Sequence, residues 1–426
     1  MRPGPEMRIL VLCPHYPPDT APTGEVMAAL CERWVARGHR VDVITSLPWY
    51  RDHAVAEGWS GRMVRTERSP GGRIRRWYPF PADKGRLAAR AMAFAGFTVL
   101  VGADAAAAAR RSDVVFAMSP PLTLGAAGWA AARRGRVPLV FNVQDVFPDA
   151  AVQTGVLTNA RVVAAAGRLE CWVYRRSDAV TVLSEGMAAN VRSKLDAGAD
   201  PDKVVVIPNA ADAARITPSD RDNPYRAELG SAGDPANTVV MYAGNLGHSQ
   251  PLELVVAAAQ RFSDQGRADV QFVVNGAGVA RSTVAEAARR LDNLHLSGWQ
   301  PPDRHGEVLA AADVHLVLLR SGLGATSVPS KVYSVLAAGR PVLAAVDRDS
   351  EVARLVAASG AGRTVDPDDI DGFGAAVAEM ADDAAARSEM GRRARSYAET
   401  APGPDRIAES YLELFAELTG RTSRME

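Results

Sequence analysis

RILVLCPHYPPDTAPTGEVMAALCERWVARGHRVDVIT, residues 8–45, decides the fold. It opens on a continuous apolar run, 8–13, that ends in a proline-rich loop. A helical pattern follows over about 25–37 and stops at Gly38, and a second apolar run occupies 41–45. A run apolar at every position, rather than at alternate ones, belongs to a strand buried on both faces. A helix between two such strands makes them parallel.

The same texture recurs. DVVFAM, PLVFNV, AVTVL and KVVVI begin at Asp113, Pro138, Ala179 and Lys203; the pattern pauses in the polar stretch 211–237. It restarts with TVVMYAGNLG, VQFVVNGAG, NLHLSGW, DVHLVLL and RPVLAAV. The economical reading is an α/β chain of two Rossmann-like, doubly wound domains. Their expected limits are 1–213 and 238–400, joined by a hinge at 214–237, with a closing segment at 401–426 that carries a helix over about 404–418. The length agrees, since 426 residues at roughly 150 per domain allow two or three.

Composition narrows the function. Forty-nine basic side chains balance 49 acidic ones, so the chain lacks the positive field a general nucleic-acid binder needs. Cys13, Cys31 and Cys171 show no CxxC spacing, which excludes a disulfide framework and a cysteine zinc site and fits a reducing compartment. The opening MRPGPEMRILVLCP enters a strand pattern with no apolar signal region, so a cytoplasmic protein is expected.

Ligands of open α/β sheets bind beyond the carboxyl ends of the strands. In AGNLGHSQPLELVV, Gly244 and Gly247 let a backbone approach a ligand, and a helix starting near Gln250 offers its positive end to an anion; an ordinary βα turn is the plain alternative. Gly276 and Gly278 repeat the theme in GAG, where a mere turn is the stronger alternative. In VPSKVYSVLAAGRPVLA, 328–344, a helix over about 329–338 stops at Gly339 with Lys331 in its first turn. A lysine there opposes the helix dipole by a few tenths of a kcal/mol unless an anion lies between them. Lys331 reads as a phosphate ligand, with Ser330 adding a hydroxyl; the alternative is a solvated surface lysine.

In the first half, HYPPDTAPTG runs from His15 through Thr23 to Gly24, which permits close approach of acceptor or donor. Asp145 and Asp149 follow PLVFNV, where either can orient an acceptor hydroxyl or take its proton. Asp145 is the first choice, because Asp149 can simply cap the next helix. Glu185, in SEGM, is a sugar contact or a first-turn acid. His39, His53, His295, His305 and His315 have no metal-ligand spacing and read as structural.

Taken together, these segments resemble the family-4 retaining glycosyltransferases of GT-B fold. The resemblance rests on RILVLCPHYPPDTAPTG, VFNVQDVFPD, AVTVLSEGM, VVVIPNAAD, MYAGNLG, NGAG, LHLSGW and PSKVYSVLAAGRPVLA, in register over most of the chain. It implies two Rossmann-like domains facing a cleft, acceptor in the first and nucleotide-sugar in the second, with the last helix crossing back to the first domain. It also implies same-face attack guided by the leaving phosphate. No metal or other cofactor is expected, so Asp347-Arg348-Asp349 reads as a loop before the N-cap Ser350 rather than a DxD metal site. Glu351 falls where the family often places an acid near the ribose, or else it only complements its helix dipole. Trp299 lies near the expected base, or packs between domains.

The departures are specific. Both glutamates of the family's E-x7-E motif are absent, replaced by Thr326 and Ser334; its diphosphate-binding Arg is Asn245; the histidine before Asp145 is Gln144. Q-D-x-F-P-D with A-G-N-L-G and P-S-K is similar to a subgroup that builds bacterial surface polysaccharides, exemplified by N-acetylfucosaminyl transferases. There Lys331 supplies the charge that Arg gives elsewhere. The implied reaction moves a sugar, N-acetylated in that subgroup, from a UDP-linked donor to a lipid-linked or glycan acceptor. Rivals are a soluble small-molecule glycosyltransferase, a sugar-nucleotide epimerase of the same fold, and an inactive partner protein.

RIRRWYPFPADKGRLAARAMAFAGFTVLVG, 73–102, sets basic and aromatic residues beside an apolar helix. It reads either as an interfacial segment that meets anionic lipid through Arg75, Arg76 and Arg86 at the inner membrane face, or as a buried helix. Its apolar core is shorter than the roughly 20 residues of a membrane span.

Overall fold

The computed structural model describes residues 6–50, 54–80 and 87–421, with the side chains of 87–95 left aside. It divides into two units, 1–152 with 157–208 and 404–426, and 153–156 with 209–403.

Among the described residues the first sheet has eight strands: β1 (Arg8–Leu12), β2 (Arg40–Ser46), β3 (Val64–Ser69), β4 (Gly72–Trp77), β5 (Val114–Ser119), β6 (Leu139–Val143), β7 (Ala179–Val182) and β8 (Val204–Val206). They lie in the order β3-β4-β2-β1-β5-β6-β7-β8. Only β3 and β4 pair antiparallel. The second sheet has six: β9 (Thr238–Ala243), β10 (Val270–Asn275), β11 (Leu294–Ser297), β12 (Val314–Leu318), β13 (Val342–Ala345) and β14 (Gly362–Val365), all parallel in the order β11-β10-β9-β12-β13-β14. The winding direction reverses between β1 and β5 and between β9 and β12. At such switch points the loops beyond the strand ends diverge and leave room for a ligand.

The continuous apolar runs are buried as their composition requires: β5, β6, β7 and β12 are covered at every residue. The first helix spans Pro22–Ala36, three residues earlier than its apolar pattern suggests, because proline's fixed φ suits a first helical position. The β3–β4 hairpin has no counterpart in the sequence reading. VRTERS is a charged edge strand and GRIRRW lies between it and β2; neither carries an apolar run.

That hairpin changes the meaning of 73–102. Arg76 is 1% exposed. It donates to Tyr16 O at 3.0 Å and to Glu67 Oε1 at 3.1 Å. Arg75 pairs with Asp104 at 2.9 Å, and the Trp77 indole N–H donates to the same carboxylate at 2.8 Å. Two of the three arginines expected to meet lipid are engaged within the unit, and Arg86 lies outside the described residues. No helix among the described residues is long and apolar enough to cross a membrane.

The closing helix, Pro404–Leu418, belongs to the first unit. Trp34 is fully buried and donates its indole N–H to Ala408 O at 3.0 Å. Its ring meets Phe116, Tyr411 and Phe415 edge-on, with centroids 5.4–6.0 Å apart, an arrangement favourable to aromatic quadrupoles. In the second unit, the stretch expected as a hinge carries the helix Pro224–Glu228. Arg226, 1% exposed, donates there to Ala311 O, Asn237 O and Asp313. Its polar composition hides a buried arginine that satisfies loop carbonyls.

Candidate functional site

In the second unit three glycines bring two loops into backbone contact. Gly244, Gly276 and Gly278 have φ of +147°, +148° and +150°, where only glycine is at ease. A methyl group added at Gly276 would lie 1.9 Å from Gly244 O, and one at Gly278 2.4 Å from Leu246 O. At Gly244 it would meet the Lys331 ammonium at 2.8 Å. Lys331 begins the helix Lys331–Ala337, beyond the loop that follows β12. The structure thus gathers Gly244, Gly276, Gly278 and Lys331 at the second switch point.

Lys331 is held unusually. Its stem is half-buried, but Nζ is covered and has no hydrogen-bond partner among the described residues. Nζ lies 3.5 Å from the centroid of the Tyr242 ring. Burial pushes its pKa well below the ordinary lysine range and raises that of the Tyr242 hydroxyl, which donates to Asn245 O at 2.7 Å. A buried cation without a carboxylate or carbonyl is costly, and a bound anion restores its charge.

The rest of the expected anion cradle differs. The helix after β9 starts at Glu253, not near Gln250, and Glu253 occupies its positive end while pairing with Arg320. The N–H groups of Gly244, Leu246 and Gly247 already donate to Asn275 O, Ala277 O and Gln250 Oε1. Ser330 is exposed at the start of the lysine helix. Glu351 is taken by Arg354 at 2.8 Å, and Asp347 braces its loop by accepting the N–H groups of Gly322 and Gly324 at 3.0 Å. Trp299 is 47% exposed, outside its unit's core. Thr326, at the first missing glutamate, is buried and donates to Leu323 O at 3.0 Å.

In the first unit the loop after β1 is tightly fixed. His15 Nδ1 lies 2.7 Å from Asp19 Oδ2, and Asp19 Oδ1 accepts the Tyr50 N–H at 3.0 Å. Gly24 allows the first helix to pass this loop, since a methyl there would sit 3.1 Å from the His15 carbonyl. What approaches Gly24 is therefore the chain's own backbone. Thr23 is half-buried in the same helical turn. Burial, and then the charges of Asp19 and Asp145, raise the Tyr50 hydroxyl pKa. Sequence reading missed Asp19, Trp49 and Tyr50; the signal was an acid four residues beyond His15 in a loop.

The other first-unit candidates are engaged. Gln144 donates to Asn142 Oδ1 at 2.8 Å, and Asn142 donates to Tyr411 of the closing helix at 2.9 Å. Asp149 accepts from Lys194 at 2.8 Å and Asn190 at 3.0 Å, and Lys194 also reaches the buried Glu170 at 2.7 Å. Glu185 faces Arg192 at 3.5 Å. Of the five histidines read as structural, His39 accepts from Met7 N–H, His295 meets Gln271, and His315 meets Leu309 O. Burial lowers the pKa of all three, to about 4 for His315. His53 lies outside the described residues.

Residues 23–210 match the glycosyl transferase 4-like domain family, and residues 237–383 match glycosyl transferases group 1. The chain is 29% identical over 303 residues to a Pseudomonas aeruginosa protein named as a glycosyltransferase, WbjE, covering 68% of this chain and 72% of that one. It is 26% identical over 356 residues to WcaI of Escherichia coli K12, named as a colanic acid biosynthesis glycosyl transferase, covering 82% and 86%. It is 30% identical over 340 residues to a D-inositol 3-phosphate glycosyltransferase of Kineococcus radiotolerans, covering 74% of each. Among solved structures, a sucrose-phosphate synthase of Thermosynechococcus elongatus superposes with a TM-score of 0.74 at 17% identity, covering 98% of this chain and all of that one. Anabaena HepE, solved in complex with UDP-glucose, superposes with a TM-score of 0.69 at 15% identity, covering 97% and 100%. These likenesses identify the architecture as GT-B.

Proposed function

The chain belongs to the glycosyltransferases built from a 4-like first domain and a group 1 second domain, and on that premise we propose that it moves a sugar from a UDP-linked donor to a lipid-linked or glycan acceptor in surface-polysaccharide assembly, with retention. The names of WbjE and WcaI and the UDP-glucose held by HepE support this reading.

One observation carries the donor assignment: the Lys331 ammonium, covered and without a hydrogen-bond partner among the described residues, beside the Gly244 turn. A diphosphate at that turn gives the cation a counter-charge. As the glycosidic bond breaks, negative charge grows on the leaving diphosphate, and a fixed cation with the Asn245 amide stabilises it there. Gly276 and Gly278 keep the neighbouring loop close; Ser330, Trp299 and Glu351 are proposed as contacts to phosphate, base and ribose. The first domain takes the acceptor around His15, Thr23, Gly24, Gln144 and Asp145, with Asp145 orienting its hydroxyl. Asp149 and Glu185 shape this region through Lys194 and Arg192.

A thermal-shift series with UDP, GDP, ADP and TDP tests the reading. A ligand of the folded state raises the melting temperature by linkage, about 2.7 kcal/mol of stabilisation at one hundred times its dissociation constant. A rise with UDP above the other three is expected; no rise with any of them overturns the donor assignment.

A second reading keeps the enzyme and changes the acceptor. The identity to the Kineococcus inositol phosphate enzyme favours a small, water-soluble alcohol. Turnover with D-inositol 3-phosphate, and none with a polyprenyl-linked sugar, decides for it.

A further inference from the structure

Three helices of the first unit, Leu87–Ala108, Thr123–Gly135 and Ala160–Arg176, pack side by side. They lead into β5, β6 and β7, which are neighbours in the sheet, so their carboxyl ends gather at the amino ends of those strands. The three helices contain only two acids, Asp104 and Glu170, and both are buried. Six exposed arginines stand where the helices end. Arg110 and Arg111 lie on the single turn after the first helix, Arg133 and Arg134 on the second, and Arg175 and Arg176 on the third. Arg175 pairs with Asp196 at 3.1 Å, whereas the other five have no ion pair among the described residues. Asp113, just before β5, is held by Arg421 at 2.7 Å. Apolar side chains share this surface. Val99 is 70% exposed, and Ala103, Ala107 and Ala130 are exposed as well. The half-buried Trp129 and Trp172 meet edge-on with centroids 4.9 Å apart, and the Arg176 guanidinium lies 5.9 Å from the Trp129 ring centre.

Cations in a last turn complement a helix dipole, which accounts for arginine at each helix end. It does not account for Arg161, exposed in the first turn of its helix against the dipole, nor for a solvent side from which every acid is missing. We propose that this helical layer docks the protein on an anionic bilayer. Its guanidinium groups pair with lipid phosphates, and Val99 and the two indoles settle among headgroups and upper acyl chains. The apolar side chains decide between anionic partners, since a nucleic acid offers phosphates but no hydrocarbon to receive them. The arginines read from sequence as lipid contacts precede the first of these helices and are engaged within the unit; the unpaired ones follow it. The inference goes beyond the transfer reaction and needs the first unit alone, so it does not depend on the donor assignment.

The test sediments the full chain with vesicles of phosphatidylcholine alone, or of phosphatidylcholine mixed equally with phosphatidylglycerol. Binding to the mixed vesicles only, weakened by added salt, is expected. Replacing two arginines together, Arg133→Ser with Arg134→Ser, is expected to weaken binding about 20-fold, because each arginine near an anionic surface contributes a factor of about five. Arg110→Ser with Arg111→Ser should do the same. Val99→Asp is expected to weaken it at least about five-fold, since it sets a like charge against the lipid where an apolar side chain stood. Arg289→Ser with Arg290→Ser removes equal charge from exposed positions of the second unit and should leave binding within about two-fold. All four variants are expected to melt with the wild type. No binding to the mixed vesicles, full binding by Val99→Asp, or an equal loss from the second-unit pair overturns the proposal. Retention on heparin without vesicle binding assigns the surface to a charged polymer and overturns it too.

Discussion

The ammonium of Lys331 sits 3.5 Å above the Tyr242 ring, covered and without a hydrogen-bond acceptor among the described residues. An aromatic face returns only part of a cation's lost hydration, up to about 2 kcal/mol when desolvated. Lys331 therefore loads the unliganded protein with strain that the proposed diphosphate would remove.

Lys331→Met is expected to weaken UDP binding about 10- to 100-fold, the equivalent of about 1.5–3 kcal/mol for a hydrogen bond to a charged group. The same variant is expected to unfold at higher urea than the wild type when no nucleotide is present, because methionine suits the site without a charge. Isothermal calorimetry and urea titration measure the two effects; they should move in opposite directions.

Donor binding is expected to take up a proton. Burial lowers the Lys331 pKa in the free protein, and a diphosphate raises it again. The neighbouring titratable groups are already neutral near pH 7, since burial raises the Tyr242 hydroxyl and holds His315 near about 4. UDP affinity should thus fall as pH rises above the lysine's free-state value. For folding the sign is reversed: the unfolded chain binds more protons at this site, so stability without nucleotide rises with pH up to the ordinary lysine range. Calorimetry at pH 8 in two buffers of different ionisation enthalpy reads the proton directly, and Lys331→Met should abolish it.

Gly276→Ala is expected to damage the donor loop. Its methyl group would fall 1.9 Å from Gly244 O at a φ of +148°. Left-handed strain of about 1–2 kcal/mol adds to overpacking of about 1–3 kcal/mol. The second unit should melt earlier, and UDP affinity should fall even below the melt. Gly266→Ala has open space around the added methyl and pays only the backbone term.

Lys194→Met is expected to destabilise the first unit by up to about 3 kcal/mol, since it strands the buried Glu170 carboxylate. Burial already raises the Glu170 pKa. The loss should be full above that raised value and fade as pH falls through it, because the folded state then holds a neutral acid. Urea midpoints across pH 4–8 check this, and adding Glu170→Gln should restore most of the difference.

The sheets were legible because parallel strands are written as unbroken apolar runs. Each run from 8–13 to the one at Pro341 became a strand within a residue or two. The β3–β4 hairpin was not, because RIRRW carries its one buried side chain, Arg76, in the guise of a surface charge. At the site, glycines and Lys331 could be read from turn chemistry. What hid was partnership: Gln250 taking the Gly247 amide, Glu253 filling its helix end, and Tyr242 serving as both core and cation platform. Sequence spacing reveals which residue types a loop offers, whereas side-chain pairing across loops is settled only in three dimensions.

Because Trp34 finds its carbonyl at Ala408, the ribosome must deliver the helix Pro404–Leu418 before the opening sheet can close its core. Residues 209–403 emerge in between and, with 153–156, make up a unit that is complete sooner. The nascent polypeptide therefore completes its second unit first and leaves the indole of the first unit waiting, open to chaperones until the helix Pro404–Leu418 is released.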